Sequence, residues 1–273
     1  MSIERWPTSP TPWIMGILNA TPDSFSDGGR YFDPEVATEH AKRMIDAGAH
    51  ILDVGGESTR PGSLPVPEEE QIRRTIPIIV SIRRNWGCPI SIDTTSASVV
   101  DAAISAGANW VNDISALRDD VRMVDVVARH GCPVVLMHRQ GTSRSMQVNP
   151  SYADVVAEVR GFLVARAEFA EQHGVSRENI ILDPGIGFGK SIEHNLELLR
   201  CLPEIVAIGY RVLVGTSRKS FIGHLADVPV DQRLAGSLAA AVKSVEAGAT
   251  IVRVHDVGPT MQALIVARAI SHL

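Results

Sequence analysis

The triplet Ala-Gly-Ala occurs three times, at 47–49, 106–108 and 247–249, and each time one further residue separates it from an apolar run. The central Gly reads as a helix stop, because Gly takes the left-handed cap conformation without steric cost. The run that follows, rich in β-branched residues, reads as a strand buried on both faces. Gly87-Cys88-Pro89 and Gly131-Cys132-Pro133 deliver helices into strands in the same way. One supersecondary unit therefore recurs along the chain. Alternating helices and fully buried strands build a parallel sheet, whose neighbouring strands need crossover helices between them.

Strands are expected at 13–19, 50–55, 89–93, 110–115, 133–138, 180–183, 212–215 and 250–255. Helices are expected over 34–47, 67–85, 96–105, 120–130, 152–173 and 231–246, with a last one ending near Ile270. Pro34 suits a first helical position, and Glu68, Glu69 and Glu70 suit the positive end of a helix dipole. Eight βα units in 273 residues fit a single (β/α)8 TIM barrel over 13–273, an α/β fold with its active site at the C-terminal ends of the strands. A flexible, Pro-rich lead-in over 1–12 precedes it. The alternative is a doubly wound open sheet.

The net charge of −5 and the lack of a basic stripe argue against a nucleic-acid partner. No apolar run approaches the roughly 20 residues that span a bilayer. The N-terminus has no apolar signal-peptide core. Three cysteines, Cys88, Cys132 and Cys201, are odd in number and far apart, which suggests reduced thiols in a cytoplasmic protein.

The strand ends carry the chemistry. They are Asn19; Asp53 to Arg60; Asp93; Asn112 and Asp113; His138; Asp183; Ser217, Arg218 and Lys219; and Arg253 with His255. In a barrel they converge on one face. Polar loops alone do not account for polar residues inside strands, where unpaired charge is costly. Asp93, Asp183 and Asn112 suit a nitrogen-rich heteroaromatic ring, and Lys219 suits a ring carbonyl or nitrogen. Arg253, Arg60 and His255 suit phosphate. Asn19 offers one oxygen, too few for a metal cage, but Mg2+ that arrives on a phosphate keeps its waters and needs only one or two protein oxygens. Neither zinc spacing nor a serine-hydrolase elbow is present. Gly185, Gly187 and Gly189 match neither a Walker loop nor a dinucleotide fingerprint. They are read as permitting a tight turn and close backbone approach to a flat ligand.

At these residues the chain resembles the dihydropteroate synthase family. The matching blocks are 15–29, 53–62, 91–94, Asn112-Asp113, Met137-His138 with 140–142, Asp183 to Lys190, Gly215 to Phe221 and Arg253 to Asp256. The resemblance implies that a 4-aminobenzoate amine displaces diphosphate from (7,8-dihydropterin-6-yl)methyl diphosphate to give dihydropteroate, in tetrahydrofolate biosynthesis. It assigns Asp93, Asn112, Met137, Asp183, Gly215, Lys219 and Arg253 to the pterin. Asn19, Arg60, Arg253 and His255 fall to the diphosphate, with Mg2+ at Asn19. Phe25, Thr59, Arg60, Pro61, Phe188, Ser217 and Lys219 border the aminobenzoate, with Lys219, Asp93 and Arg253 as the catalytic groups. The loops over 20–33 and 59–67 are expected to close over both substrates. A homodimer through the late helices and sulfonamide binding are further expectations, as are small-molecule partners in place of nucleic acid or membrane.

Departures from that pattern are Ala20 in place of a common valine, Arg139 in place of methionine and Ser143 in place of proline. Arg139 is expected to add charge near the mouth. Asp53 and Glu57 are read either as site groups or as purely structural, bonding loop amides. Asp113, on the opposite side of its strand from Asn112, is read as structural, and His138 as positioning its loop. The rival functions are a methyltetrahydrofolate-corrinoid methyltransferase and a non-catalytic pterin-binding protein. The first has no need of the 217–219 and 253–255 blocks, and the second is expected to lack Asn19, Asp93, Lys219 or Arg253.

Overall fold

The computed structural model describes residues 4–10, 12–20, 34–58, 63–141, 146 and 148–271. Eight parallel strands close on themselves: β1 (Trp13–Asn19), β2 (Ile51–Gly55), β3 (Ile90–Asp93), β4 (Trp110–Asp113), β5 (Val134–Met137), β6 (Ile180–Asp183), β7 (Arg211–Val214) and β8 (Ile251–Val254). Strand β1 pairs with both β2 and β8. That closure removes the open-sheet alternative.

Around the barrel lie α1 (Pro34–Asp46), α2 (Glu68–Asn85), α3 (Ala97–Ala106), α4 (Met123–His130), α5 (Val155–Gln172), α6 (Ile192–Arg200), α7 (Leu202–Val206), α8 (Ser220–Ala226), α9 (Leu234–Glu246) and α10 (Val257–Ser271). The repeated triplets are the helix stops they were read as, with Gly48, Gly107 and Gly248 at φ +99°, +114° and +101°. Helices α6, α7 and α8 lie where none was expected. They are nine, five and seven residues long, too short for a 3.6-residue period to stand out.

Strand periodicity splits the core in two, because successive side chains point to opposite faces. Outward residues such as Ile14, Leu52, Ile92, Val111, Leu136, Leu182 and Val252 pack in one large cluster together with helix side chains. Inward residues form a second cluster of Trp13, Met15, Ile51, Trp110, Val135, Ile181, Leu213 and Ile251. This inner layer fills the lower barrel, so that it is a packed core and not a pore.

The lead-in packs beneath that layer. Trp6 meets Trp110 edge-on at 4.7 Å and Trp13 at 5.7 Å, with the Arg211 guanidinium 4.3 Å from its ring. Trp110 Nε1 donates to the Arg5 carbonyl at 2.6 Å, and the Glu4 amide donates to the Gly87 carbonyl at 3.1 Å. Among the described residues no helix is long and apolar enough to cross a membrane.

Candidate active site

Two residues beyond each lower inward position, the same strand face carries the next side chain toward the barrel mouth. Ile51 leads to Asp53, Ser91 to Asp93 and Trp110 to Asn112. Val135 leads to Met137, Ile181 to Asp183, Leu213 to Gly215 and Ile251 to Arg253. On β1 the corresponding end is Asn19. The inward positions nearest the mouth are thus polar on β2, β3, β4, β6 and β8, while β5 and β7 place Met137 and Gly215 there. Asp113 has the opposite parity and is structural, accepting from the Ser115 and Leu117 amides at 2.7 and 2.8 Å.

Arg253 lies at the centre of the mouth. Its Nε donates to Asp53 Oδ2 at 2.6 Å and its guanidinium donates to Asp93 Oδ2 at 2.7 Å. Asn112 Nδ2 donates to the same Asp53 oxygen at 2.9 Å. Asp53 is wholly buried and bonded within this cluster. Burial opposes the Arg253 charge, but Asp53 and Asp93 outweigh it and raise its pKa. Burial holds Asp93 well above the ordinary carboxylate range, although Arg253 pulls it back. Oδ1 of Asp53 and Oδ1 of Asp93 are buried with no hydrogen-bond partner among the described residues. Two orphaned carboxylate oxygens of this kind suit a ligand rich in N–H groups.

Asp183 accepts from the Gly185 amide at 2.7 Å, and burial pushes its pKa up to about 6. Lys219 follows β7. Burial, then the Arg253 charge, lowers its pKa to about 8, with Asp183 and Asp93 acting against the fall. Its Nζ stands 4.1 Å from the centre of the Phe188 ring. Ser217 Oγ accepts from the His255 amide at 3.2 Å and lies 3.0 Å from its ring Nδ1, which brings residues 217 and 255 together. Gly215 faces inward beside Arg253, whose Cβ would be 3.8 Å from a side chain added there. Phe25, Thr59, Arg60 and Pro61 lie outside the described residues, as does most of the two loops expected to close.

One sequence reading changes and two are refined. Two of the three glycines of the β6 loop make room for protein backbone: a Cβ on Gly185 would collide with the His138 carbonyl oxygen and one on Gly189 would lie 2.5 Å from that of Gln140, whereas Gly187 faces the Lys219 side chain. Gly185 and Gly189 have positive φ, +70° and +65°. Gly185→Ala is therefore expected to cost about 2 to 3 kcal/mol, visible as a lowered chemical-denaturation midpoint; an unchanged midpoint would contradict this packing. Arg139 does not present a free charge at the mouth. It is buried and pairs with Asp119 at 2.6 Å. Glu57 takes its structural reading, accepting from Gln71 at 3.0 Å and from the Val66 amide at 3.4 Å.

Lys190 went unassigned in the sequence. It is 3% exposed and bonded to His138 and Phe188. Its only signal was its place as the last residue of the glycine loop.

A model of the pterin binding enzyme family matches residues 15–255. A dihydropteroate synthase of Synechocystis is 48% identical, covering 94% of this chain and 90% of its own length. That of Escherichia coli K12 is 46% identical over 94% of this chain and 91% of its own. Among solved structures, Xanthomonas albilineans dihydropteroate synthase with 4-aminobenzoic acid superposes with a TM-score of 0.91 at 46% identity, covering 96% of this chain and 94% of that one. The same enzyme in complex with 7,8-dihydropteroate gives 0.88 at 44% identity, with coverages of 96% and 95%.

Proposed function

This chain belongs to the dihydropteroate synthases of the pterin-binding enzyme family, and we propose that its strand ends divide that reaction between them. The substrates are 4-aminobenzoate and (7,8-dihydropterin-6-yl)methyl diphosphate, and the products are dihydropteroate and diphosphate. The observation that carries the assignment of roles is the pair of orphaned carboxylate oxygens on Asp53 and Asp93 beside Arg253. Asp93, Asn112, Asp183 and Lys219 hold the pterin ring, with Met137 and Gly215 as its apolar and open walls. Arg253, His255 and Asn19 face the diphosphate. Phe188, Ser217 and Lys219 border the aminobenzoate.

As diphosphate leaves, positive charge develops on the pterin methylene and spreads into the ring. Carboxylates fixed around the ring stabilise that charge, and Arg253 and His255 stabilise the departing anion. The aryl amine is neutral at pH 7, so its attack needs no strong base, and the proton passes to solvent or product phosphate. No covalent enzyme intermediate is required. Among the described residues no cluster of His, Cys, Asp and Glu forms a metal cage. The single amide oxygen of Asn19 fits Mg2+ carried in on the diphosphate with most of its waters. Such an ion supplies further stabilisation of leaving-group charge.

The protein's place of work is the cytoplasm, a reading supported by the free thiols of Cys88, Cys132 and Cys201. A homodimer through the late helices is supported by Ile265, Val266 and Ile270, which α10 leaves exposed.

Activity is expected to be bell-shaped in pH. Lys219 must keep its proton, so kcat/KM falls as pH rises through about 8. Asp183 must lose its proton, so kcat/KM also falls as pH drops below about 6. These limbs belong to the free enzyme and to the coupled cluster. A profile flat from pH 5 to about 10 would remove both requirements.

The experiment that tests the function is diphosphate release from pterin diphosphate and Mg2+, with and without 4-aminobenzoate, and with a sulfonamide in a parallel reaction. Release that depends on aminobenzoate and yields dihydropteroate supports the reading. Tight pterin binding without release, or methyl transfer to a corrinoid, would replace it with one of the rival functions.

A further inference from the structure

Lys190 is buried and makes no ion pair with a carboxylate among the described residues, and burial lowers its pKa to about 7 although Asp183 acts against the fall. A charge so placed is expensive unless its donors are matched. Its Nζ lies 2.9 Å from His138 Nδ1, 3.0 Å from the Phe188 carbonyl and 3.4 Å from the His138 carbonyl. When protonated, Lys190 has three N–H donors, and the three contacts give each of them an acceptor. His138 is the neutral partner, since burial and then the charges of Lys190 and Arg118 lower its pKa to about 3.

These acceptors come from two loops. His138 follows β5, and Phe188 lies in the loop after β6. The same loops touch where Gly185 meets the His138 carbonyl and Gly189 meets Gln140. Tyr152 adds a further tie, its hydroxyl donating to the Gly189 carbonyl at 2.7 Å. The backbone between Gly185 and Lys190 is thus fixed at both ends, and the Phe188 ring projects from it against Lys219.

We propose that Lys190 is a positioning residue for the second substrate: by tying the Phe188 carbonyl to His138, it holds the Phe188 ring against Lys219 and sets the width of the 4-aminobenzoate slot. This rests on the reading that Phe188 and Lys219 border that slot. Lys190 itself touches neither substrate. Its effect therefore falls on aminobenzoate affinity and leaves the pterin contacts of Asp93 and Asn112 in place.

The test is a double-mutant cycle on the purified enzyme with Lys190→Met, Phe188→Leu and the double variant. KM for 4-aminobenzoate, kcat, and the Kd of pterin diphosphate by calorimetry are measured for each. Lys190→Met is expected to raise KM for 4-aminobenzoate about tenfold, with the pterin diphosphate Kd changed less than about threefold. In the Phe188→Leu background the same substitution is expected to add almost nothing. Should Lys190→Met fail to fold, Lys190→Gln, whose shorter side chain cannot bridge the Phe188 carbonyl and His138, is measured in the same cycle against the same criteria. Equal losses for both substrates, or additive effects in the double variant, would overturn the positioning role. If Phe188→Leu alone leaves KM for aminobenzoate unchanged, the slot assignment fails and the proposal falls with it. If Phe188→Leu raises KM and the Lys190 variant does not, only the proposal fails.

Discussion

Lys219→Ala is expected to lower kcat/KM by roughly a thousandfold, while the folded protein loses no stability beyond that of a small cavity. Both halves follow from the same burial. The ammonium is held where desolvation and Arg253 oppose its charge, so folding gains little from it. On the proposed assignment the reaction gains a cation between the two substrates, since Lys219 lies near Asp183 and Asp93 and against the Phe188 ring. Removing a preorganised group of this kind costs about 3 to 4 kcal/mol in the transition state. The measurements are steady-state diphosphate release and a thermal melt on the same preparation. Near-normal kcat/KM would remove Lys219 from the catalytic group. A large fall in the melting temperature would recast it as a structural residue.

How far the sequence reveals this site depends on which physical signal each residue leaves. The barrel is legible because its unit is local: a Gly with positive φ stops a helix and a β-branched run follows. The strand-end residues are legible because a polar side chain inside a buried strand needs a reason to be there. Parity then separates Asn112 from Asp113, which are adjacent in sequence and opposite in role.

The sequence leaves Asp53 and Glu57 alike, two acids four residues apart, one inside β2 and one just after it. Only the pairing of β2 with β3 and the reach of Arg253 from β8 draw Asp53 into the cluster, while Glu57 turns to Gln71 on α2. Lys190 is hidden for a different reason. Its partners are a carbonyl two residues back and a histidine 52 residues away, and no pattern of residue types encodes a carbonyl. The glycines of its loop are visible in sequence, but the backbone they make room for belongs to another loop.

Asp53→Ala is the sharper test of whether the cluster acts as one unit. The wild-type carboxylate is wholly buried, and one of its oxygens accepts from both Arg253 and Asn112. Truncation leaves two buried donors without that acceptor, and Arg253 keeps only its bond to Asp93. The expected cost is about 3 kcal/mol of stability, near the lower end for breaking a buried charged pair because one partner remains. Activity is expected to fall about a hundredfold in kcat/KM, since Asn112 and Arg253 lose the atom that aims them at the pterin and the diphosphate. Asp53→Asn separates charge from geometry. Its amide oxygen can still accept, so much of the stability returns, but the anion that faces the developing pterin cation does not. If Asp53→Asn recovers stability and leaves activity depressed, Asp53 acts electrostatically. If both recover together, its role is to aim its neighbours. Full activity and an unchanged melting temperature in Asp53→Ala would show that Asp93 alone anchors Arg253, and the cluster would then have to be redrawn around that single pair.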